Sequence, residues 1–286
     1  ERFQGSNDEP SYSQDGSRMV YVSARGLVTT VPPRFSVLCI RALDTGEEQE
    51  LRTDFQRLAG PQFSADGMAV LVATWDEGMA IHHVDTATGV FSPVVKAEEG
   101  TLLSGHAQSR DGKTLYYAGC DDEACWIRSR DLTSQAETEI HRGPREPLSI
   151  ALSPDGRSLA FVPLPLDAIQ TERVVRIVPV DGGAPREIFR FTEHGQHFHR
   201  VEFSADGSSL FVPRELNPPA DPSWTLLRVP VAGGEAEDVG VRMAGIGRVT
   251  AHPDGSRITF ASKGLEEKDD EVWVIEDFLP GTGGQP

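Results

Sequence analysis

The sequence predicts an all-β fold, a six-bladed β-propeller with four antiparallel strands in each blade. Three observations lead to this prediction: one hairpin motif recurs six times, its copies are spaced by about the length of a blade, and apolar strand-like runs follow every copy. Hydrophobic residues make up 38% of the chain, which also contains 28 Gly and 20 Pro. This composition is too apolar for disorder and too rich in turn residues for a helical bundle.

The recurring hairpin has an Asp-Gly pair at the turn between its two strands. The pairs stand 44 to 51 residues apart and are Asp15-Gly16, Asp66-Gly67, Asp111-Gly112, Asp155-Gly156, Asp206-Gly207 and Asp254-Gly255. Asp and Gly are typical turn residues, because Gly accepts the positive φ that other residues resist. β-Branched and aromatic residues follow each pair, as expected of a buried strand. A period of this length is typical of a four-stranded blade.

A third strand is predicted after each hairpin, and a fourth strand closes most of the blades. The third strands are predicted at residues 36–42, 80–84, 126–129, 174–178, 225–229 and 272–275. The fourth strands are clearest at residues 48–51, 186–189 and 235–239. The fourth strands are more polar than the third, which suits the outer edge of a sheet.

The two ends of the sequence complement each other. The sixth copy stops after its third strand, whereas residues 1–4 precede the first copy where a fourth strand would end. We predict that residues 1–4 pair with the last blade and close the ring, because closure removes an exposed sheet edge. One propeller domain is therefore expected over residues 1–280, followed by a flexible tail at 281–286.

The charge and hydropathy of the chain argue against a nucleic-acid partner and against a membrane span. The 27 Lys and Arg residues against 44 Asp and Glu give a net charge of −17, which repels a nucleic-acid backbone. No segment approaches the ~18 apolar residues of a membrane span. We expect no nucleic-acid partner and no membrane span in this chain, and the acidity is most simply explained by solubility.

The cysteines suggest a small disulfide. Cys120 and Cys125 lie between two predicted strands and can bond if their Cα atoms approach within ~7 Å. A zinc site at this pair alone is less expected, because structural zinc takes four ligands. Cys39 lies in an apolar run and is predicted to be a buried small side chain.

The six hairpins resemble the repeats of TolB-like propellers, whose common form is Pro-x-Phe/Trp-Ser-Pro-Asp-Gly followed by an apolar strand. Residues 152–161 match this form closely, whereas the third copy has Gln108 in place of the aromatic residue and the sixth has His252 in place of Ser. The resemblance covers nearly the whole chain and implies the fold. The residues it carries set turns and blade packing, so it implies no catalytic set.

The last blade also resembles the C-terminal propellers of bacterial membrane-anchored signalling proteins, over residues 251–260 and 271–280. In those proteins one membrane helix joins a cytoplasmic effector to an extracytoplasmic propeller. The resemblance implies an extracytoplasmic location and a membrane anchor outside this chain. Since the sequence lacks a starting Met, we expect an excised or processed domain.

A binding surface is predicted on one face of the disc. Strand direction places the Asp-Gly turns on one face, here the turn face, and the second-to-third-strand loops and blade crossings on the other, here the loop face. The loop face carries the long segments, and loops on a rigid scaffold often carry function. The predicted binding residues near its channel mouth are His106, His194, Gln196, His197, His199, Arg200, Trp75 and Trp224. The two tryptophans either cap blade edges or anchor a partner.

The predicted function is a non-catalytic binding or sensory domain, whose ligand is a protein segment or a small molecule at the channel mouth. No catalytic residue is assigned, because the sequence contains no Gly-x-Ser-x-Gly, His-Glu-x-x-His or phosphate-loop motif. No cofactor is expected.

Two alternatives remain open. One is a divalent metal site of His197, His199 and His106 in a carbohydrate-active propeller. The Gln-His-x-His stretch that ends at His199 resembles the metal-binding stretch of oligogalacturonate lyases. Those enzymes have seven blades, however, and their histidines lie one residue closer to the Asp-Gly turn. The other alternative is an accessory propeller of a larger hydrolase.

Overall fold

The computed structural model describes residues 6–24, 36–53, 55, 57–75, 78–144, 148–163, 170–194, 200–217, 221–263 and 270–276. Within these ranges, 23 strands form six separate antiparallel sheets, and neighbouring strands in each sheet are neighbours along the chain. No helix in this part of the chain has the length and apolar character that a membrane crossing needs. The prediction of an all-β, six-bladed propeller is confirmed.

The strands follow one order in every blade, from the innermost to the outermost. Blades one and two contain β1 (Ser6–Tyr12), β2 (Arg18–Ala24), β3 (Ser36–Ala42), β4 (Glu48–Arg52), β5 (Leu58–Phe63), β6 (Ala69–Thr74), β7 (Ala80–Asp85) and β8 (Phe91–Lys96). Blades three and four contain β9 (Leu102–Gln108), β10 (Thr114–Cys120), β11 (Cys125–Asp131), β12 (Glu137–Gly143), β13 (Leu148–Leu152), β14 (Ser158–Pro163), β15 (Gln170–Pro179) and β16 (Arg186–His194). Blades five and six contain β17 (Glu202–Phe203), β18 (Ser209–Asn217), β19 (Asp221–Pro230), β20 (Glu237–Asp238), β21 (Val249–Ala251), β22 (Arg257–Lys263) and β23 (Asp270–Glu276).

Every predicted third strand lies inside an observed strand, and most observed strands extend further. The prediction at 36–42 coincides with β3, whereas β15 is ten residues long and extends beyond the predicted 174–178 at both ends. The fourth strand of blade five is shorter than predicted, because only Glu237–Asp238 pair with β19. Residues 1–4 and 281–286 lie outside the described residues, so ring closure by the first strand and the flexible tail stay predictions.

Hydrogen bonds within five or six residues explain why the Ser-x-Asp-Gly sequence turns the chain. In the fourth copy, Ser153 Oγ donates to Asp155 Oδ1 at 2.6 Å, and Ser158 N donates to Ser153 Oγ at 2.9 Å. Gly156 has φ +72°, which closes the turn. The donors around Asp155, Ser153 first, lower the pKa of this carboxyl group. The turn is therefore determined locally, which accounts for its regular repetition.

Apolar side chains fill the space between neighbouring blades. Between blades one and two, for example, Val20 and Leu38 pack with Val70 and Val72, all fully buried. Blades four and five share a similar cluster that includes Phe203. Successive blades are thus joined by burial of apolar surface, the main favourable term in folding.

The first and last blades also contact each other, since β1 packs against β22. The hydroxyls of Tyr12 and Thr259 share a buried hydrogen bond. His252 Nε2 lies 3.0 Å from the carbonyl oxygen of Gly16, and its ring meets Tyr12 edge-on at 4.8 Å. His252, which departs from the repeat sequence, therefore joins the last blade to the first.

Candidate functional site

The six repeats bring equivalent residues together around the central channel. These residues stand six positions before the turn aspartate, and we call them the channel waist: Glu9, Gly60, Gly105, Ser149, Arg200 and Arg248. Four of them line a cavity of about 10 Å³, and Glu9 and Gly60 contact the Arg200 guanidinium. The waist residues differ in charge and size from repeat to repeat, although the Asp-Gly turns that follow them are alike.

A three-residue ion cluster lies at the waist. Glu9 Oε2 is 2.9 Å from Arg200 Nη1 and 3.7 Å from Arg248 Nη1, and it accepts a hydrogen bond from Gly60 N at 3.1 Å. Arg248 is buried, with 8% of its side chain exposed, and Arg200 is 27% exposed. One carboxylate oxygen therefore serves two guanidinium groups.

The backbone directs Glu9 into the channel. Glu9 has φ +59° and Gly60 φ +62°, each precedes a proline, and each lies at a β-bulge in its innermost strand. A bulge redirects a side chain, and positive φ at a residue other than glycine is a conformation that usually serves a site. Two repeats thus share an unusual backbone, and only one of them carries a charged side chain there.

His106 lies next to this cluster and is 5% exposed. Its Nε2 has no hydrogen-bond partner among the described residues. Burial lowers the pKa of the imidazole to about 3, and the nearby Arg248 and Arg200 charges act in the same direction. The ring is therefore neutral at physiological pH.

Gly60 leaves room for these three side chains to converge. A Cβ at this position would lie 3.0 Å from His106 Cε1, 3.2 Å from Arg200 Nη1 and 3.4 Å from Arg248 Nη1. Any larger residue would displace at least one of these groups. The absence of a side chain on Gly60 is thus part of the geometry of the waist.

Glu202 lies two residues beyond Arg200, deeper in the channel. Desolvation raises the pKa of its carboxyl group to about 7, and Arg248 and the Phe203 backbone N–H oppose that rise. Burial and the Arg200 charge lower the pKa of Arg248, but an arginine remains a cation at any physiological pH. At neutral pH, the charge of this part of the channel depends on the protonation of Glu202.

The channel opens differently on its two sides. Toward the turn face it widens into a cavity of about 240 Å³, whose lining includes Gln62, Glu202 and Arg248. Toward the loop face there is a recess of about 20 Å³, lined by Trp75, His106 and Arg200 among others. Arg248 therefore lines the cavity on the turn side, and Arg200 lines the recess on the loop side.

Three predicted binding residues, Trp75, His106 and Arg200, meet at the recess on the loop face. The half-buried Trp75 also receives a cation–π contact, in which Arg57 Cζ lies 5.2 Å from the ring centroid. Trp224 is elsewhere: it is 7% exposed, packs in the apolar cluster between blades five and six, and exchanges backbone hydrogen bonds with Met243. Its burial favours the blade-capping role over a partner contact.

The remaining predicted residues cannot be located in the site. The backbone of His194 pairs with Gln170 at the end of β16, and its side chain is not described. Gln196, His197 and His199 lie outside the described residues. Within the described ranges, no three His, Cys, Asp or Glu side chains are grouped to hold a metal ion. The metal site of His197, His199 and His106 therefore stays a prediction.

The cysteines adopt the arrangement considered from the sequence. Cys120 and Cys125 face each other across the β10–β11 hairpin, with their Cα atoms 4.0 Å apart and their sulfurs bonded. Cys39 is buried and takes no part in a disulfide. The disulfide closes one hairpin on the loop face.

Sequence reasoning missed four residues of the channel: Glu9, Gly60, Glu202 and Arg248. The signal that identifies three of them is positional, because aligning the repeats on their Asp-Gly pairs places Glu9, Gly60 and Arg248 in one column with Arg200. Glu202 stands two positions later in its repeat.

No protein-family model matches the sequence, and no curated protein does. Among solved structures, TolB from Acinetobacter baumannii is similar with a TM-score of 0.72 at 15% identity, over 93% of this chain and 62% of that chain. This chain thus spans less than two thirds of that protein. A putative TolB from Agrobacterium tumefaciens gives a TM-score of 0.67 at 18% identity, over 96% of this chain and 91% of that chain.

An oligogalacturonate lyase in complex with manganese is also similar, with a TM-score of 0.62 at 17% identity, over 97% of this chain and 77% of that chain. Identities this low show the fold alone. The resemblance to TolB-like propellers read from the hairpins is confirmed at the level of the fold.

Proposed function

We propose that this propeller is a non-catalytic binding domain that holds a segment of a partner protein, or a small ligand, at the loop-side mouth of its channel. The supporting observation is the meeting of Trp75, His106 and Arg200 at one recess. Tryptophan and arginine are the residues most enriched at binding hot spots, because they combine apolar area with a charged or polar group. The rigid ring of blades holds all three in fixed positions.

The electrostatics of the waist favour this proposal over a metal-dependent lyase. A divalent cation bound at His106 would lie beside the guanidinium groups of Arg200 and Arg248, whose charges already lower the pKa of the imidazole. The same repulsion that disfavours a proton disfavours a metal ion. Titration with MnCl₂ by calorimetry tests the alternative: stoichiometric binding that is lost in His106→Ala and His197→Ala would support it.

We further propose an extracytoplasmic location, with any membrane anchor outside this chain. The Cys120–Cys125 disulfide supports it, because such bonds persist in oxidising compartments. The check is mass spectrometry of the natural protein after thiol alkylation under denaturing conditions. Modification of Cys39 alone is the expected result, whereas three alkylated cysteines in freshly isolated protein would contradict the proposal.

The binding function is tested with a phage-displayed library of random peptides selected on the folded chain. Calorimetry then gives the Kd of each selected peptide. Trp75→Ala is expected to weaken binding about tenfold or more, as loss of a hot-spot aromatic does. The control is Met68→Ala on the turn face, where the side chain is 68% exposed.

Two results would contradict the proposal. If peptides lose affinity for Met68→Ala but not for Trp75→Ala, the binding surface lies on the turn face and not at the loop-side mouth. Cleavage of a bound peptide, or reproducible turnover of oligogalacturonate, would make the domain an enzyme.

A further inference from the structure

Building on the proposed binding function, we propose that the channel waist is an anion site, in which Arg200 and Arg248 hold one carboxylate group of the bound ligand. His106, in the tautomer with its proton on Nε2, donates a third hydrogen bond to that carboxylate. The site would thus select ligands by a carboxylate presented at the channel axis.

Geometry supports the proposal first. The two guanidinium groups converge beside Glu9 and against Gly60, as the 3.2 and 3.4 Å approaches to an added Cβ indicate. The distance of 3.7 Å from Arg248 Nη1 to Glu9 Oε2 exceeds hydrogen-bonding distance. The ion pair of Glu9 with Arg248 is therefore looser than its pair with Arg200.

A second, independent observation is the unpaired His106 Nε2. A buried polar atom without a partner is uncommon, because it loses its hydrogen bond to water and gains none in return. The His106 ring lines both the waist cavity and the loop-side recess. An acceptor oxygen in the waist would satisfy this atom and the guanidinium groups together.

The charge balance points the same way. Two cations share the single carboxylate of Glu9, and Glu202 is only partly ionised near neutral pH. An uncompensated cation inside a protein is unfavourable, and an anion that enters the site offsets it. This positive centre stands out in a chain whose net charge is −17.

The size of the waist restricts the anion. A cavity of about 10 Å³ has room for about one water-sized group. About one carboxylate oxygen fits at the waist itself. The remainder of the ligand has space in the recess beside Trp75 or in the 240 Å³ cavity of the turn face.

The first experiment uses acetate alone as the probe. The Tm of the chain is measured at pH 7 against increasing sodium acetate, with sodium chloride keeping the ionic strength constant. A ligand that binds only the folded state raises Tm. Arg248→Gln and Arg200→Gln are each expected to weaken acetate binding about tenfold, the usual effect of losing a charge-assisted hydrogen bond.

The matched control is Arg52→Gln, which makes the same charge change at a side chain that is 81% exposed. This variant should keep the wild-type response, and it also corrects for any general effect of acetate on stability. An equal response in Arg52→Gln and Arg200→Gln would overturn the proposal. If Arg248→Gln does not fold, as judged by circular dichroism, Arg200→Gln alone decides the result.

The second experiment uses the peptides selected for the loop-side mouth. Amidation of the C-terminus and Asp-to-Asn or Glu-to-Gln changes in the peptide identify the source of the carboxylate, and one of them should reduce affinity about tenfold. Peptides that bind equally well after both changes would overturn the anion site and leave the proposed function standing. Acetate binding that depends on Arg200, without any peptide bound at the mouth, would uphold the anion site and overturn the protein-segment form of the proposed function.

Discussion

Replacing Glu202 with Gln should stabilise the propeller above neutral pH. The carboxyl group of Glu202 has its pKa raised from 4.5 to about 7, and desolvation is the largest cause. Because the folded state holds this proton more tightly than the unfolded state, the contribution of Glu202 to stability is complete below about pH 4.5. It is lost as the pH rises through about 7.

The magnitude follows from the same two values. A pKa displaced from 4.5 to about 7 corresponds to about 3 kcal/mol between the fully protonated and fully ionised forms. Between pH 5 and pH 8, most of this difference develops, so Glu202→Gln should gain about 2 kcal/mol relative to the wild type. At pH 5 the two proteins should differ little, because Glu202 is protonated in the folded wild type.

The assay is reversible unfolding in urea at pH 5, 6, 7 and 8, with ΔG from linear extrapolation. Every other titrating group is common to both proteins, so the difference between them isolates Glu202. Glu237→Gln is the control, since this side chain is 63% exposed on the same blade, and its difference from the wild type should be flat. A difference for Glu202→Gln that is also flat from pH 5 to pH 8 would refute the desolvation argument.

Three further predictions concern the scaffold. Gly60→Ala should lower the free energy of unfolding by about 1 kcal/mol more than Gly156→Ala in urea unfolding, since both positions have positive φ but only Gly60 has close neighbours; equal losses would contradict the crowding argument. Reduction of the Cys120–Cys125 disulfide should cost about 2 kcal/mol, the expectation for a loop this short, measured by unfolding with and without dithiothreitol. An unchanged midpoint would count against it. Tyr12→Phe removes the buried hydrogen bond between the first and last blades and should cost about 1 kcal/mol by thermal unfolding; a neutral effect would show that this junction does not depend on the phenol group.

The blades could be predicted because their signals are local. A Ser-x-Asp-Gly turn is held by hydrogen bonds within five or six residues, as between Ser153, Asp155 and Ser158, so each copy forms the same turn wherever it lies. The extents of the strands were less predictable. β15 runs for ten residues because its partner β16 continues the ladder to His194, and the composition of 174–178 does not contain that information.

The departures from the repeat acquire a reason only in three dimensions. Gln108, which replaces an aromatic residue, accepts a hydrogen bond from Ala65 N at 3.2 Å in the neighbouring blade and donates one to Gly112 O at 3.2 Å. His252 replaces a serine and binds the carbonyl of Gly16 in the first blade. Both substitutions act between blades, where a repeat considered alone offers no partner.

In the channel, too, some features follow from the sequence and others only from the tertiary structure. The sequence by itself determined the six repeats, and through them it indicated that His106 and Arg200 enter blades near the axis. Only the tertiary structure decided that Arg200 and Arg248 meet Glu9 at that axis, because the three residues lie in or just before the innermost strands of three different blades. It also decided the pKa values of His106 and Glu202, since both depend on how far the surrounding blades remove these groups from water.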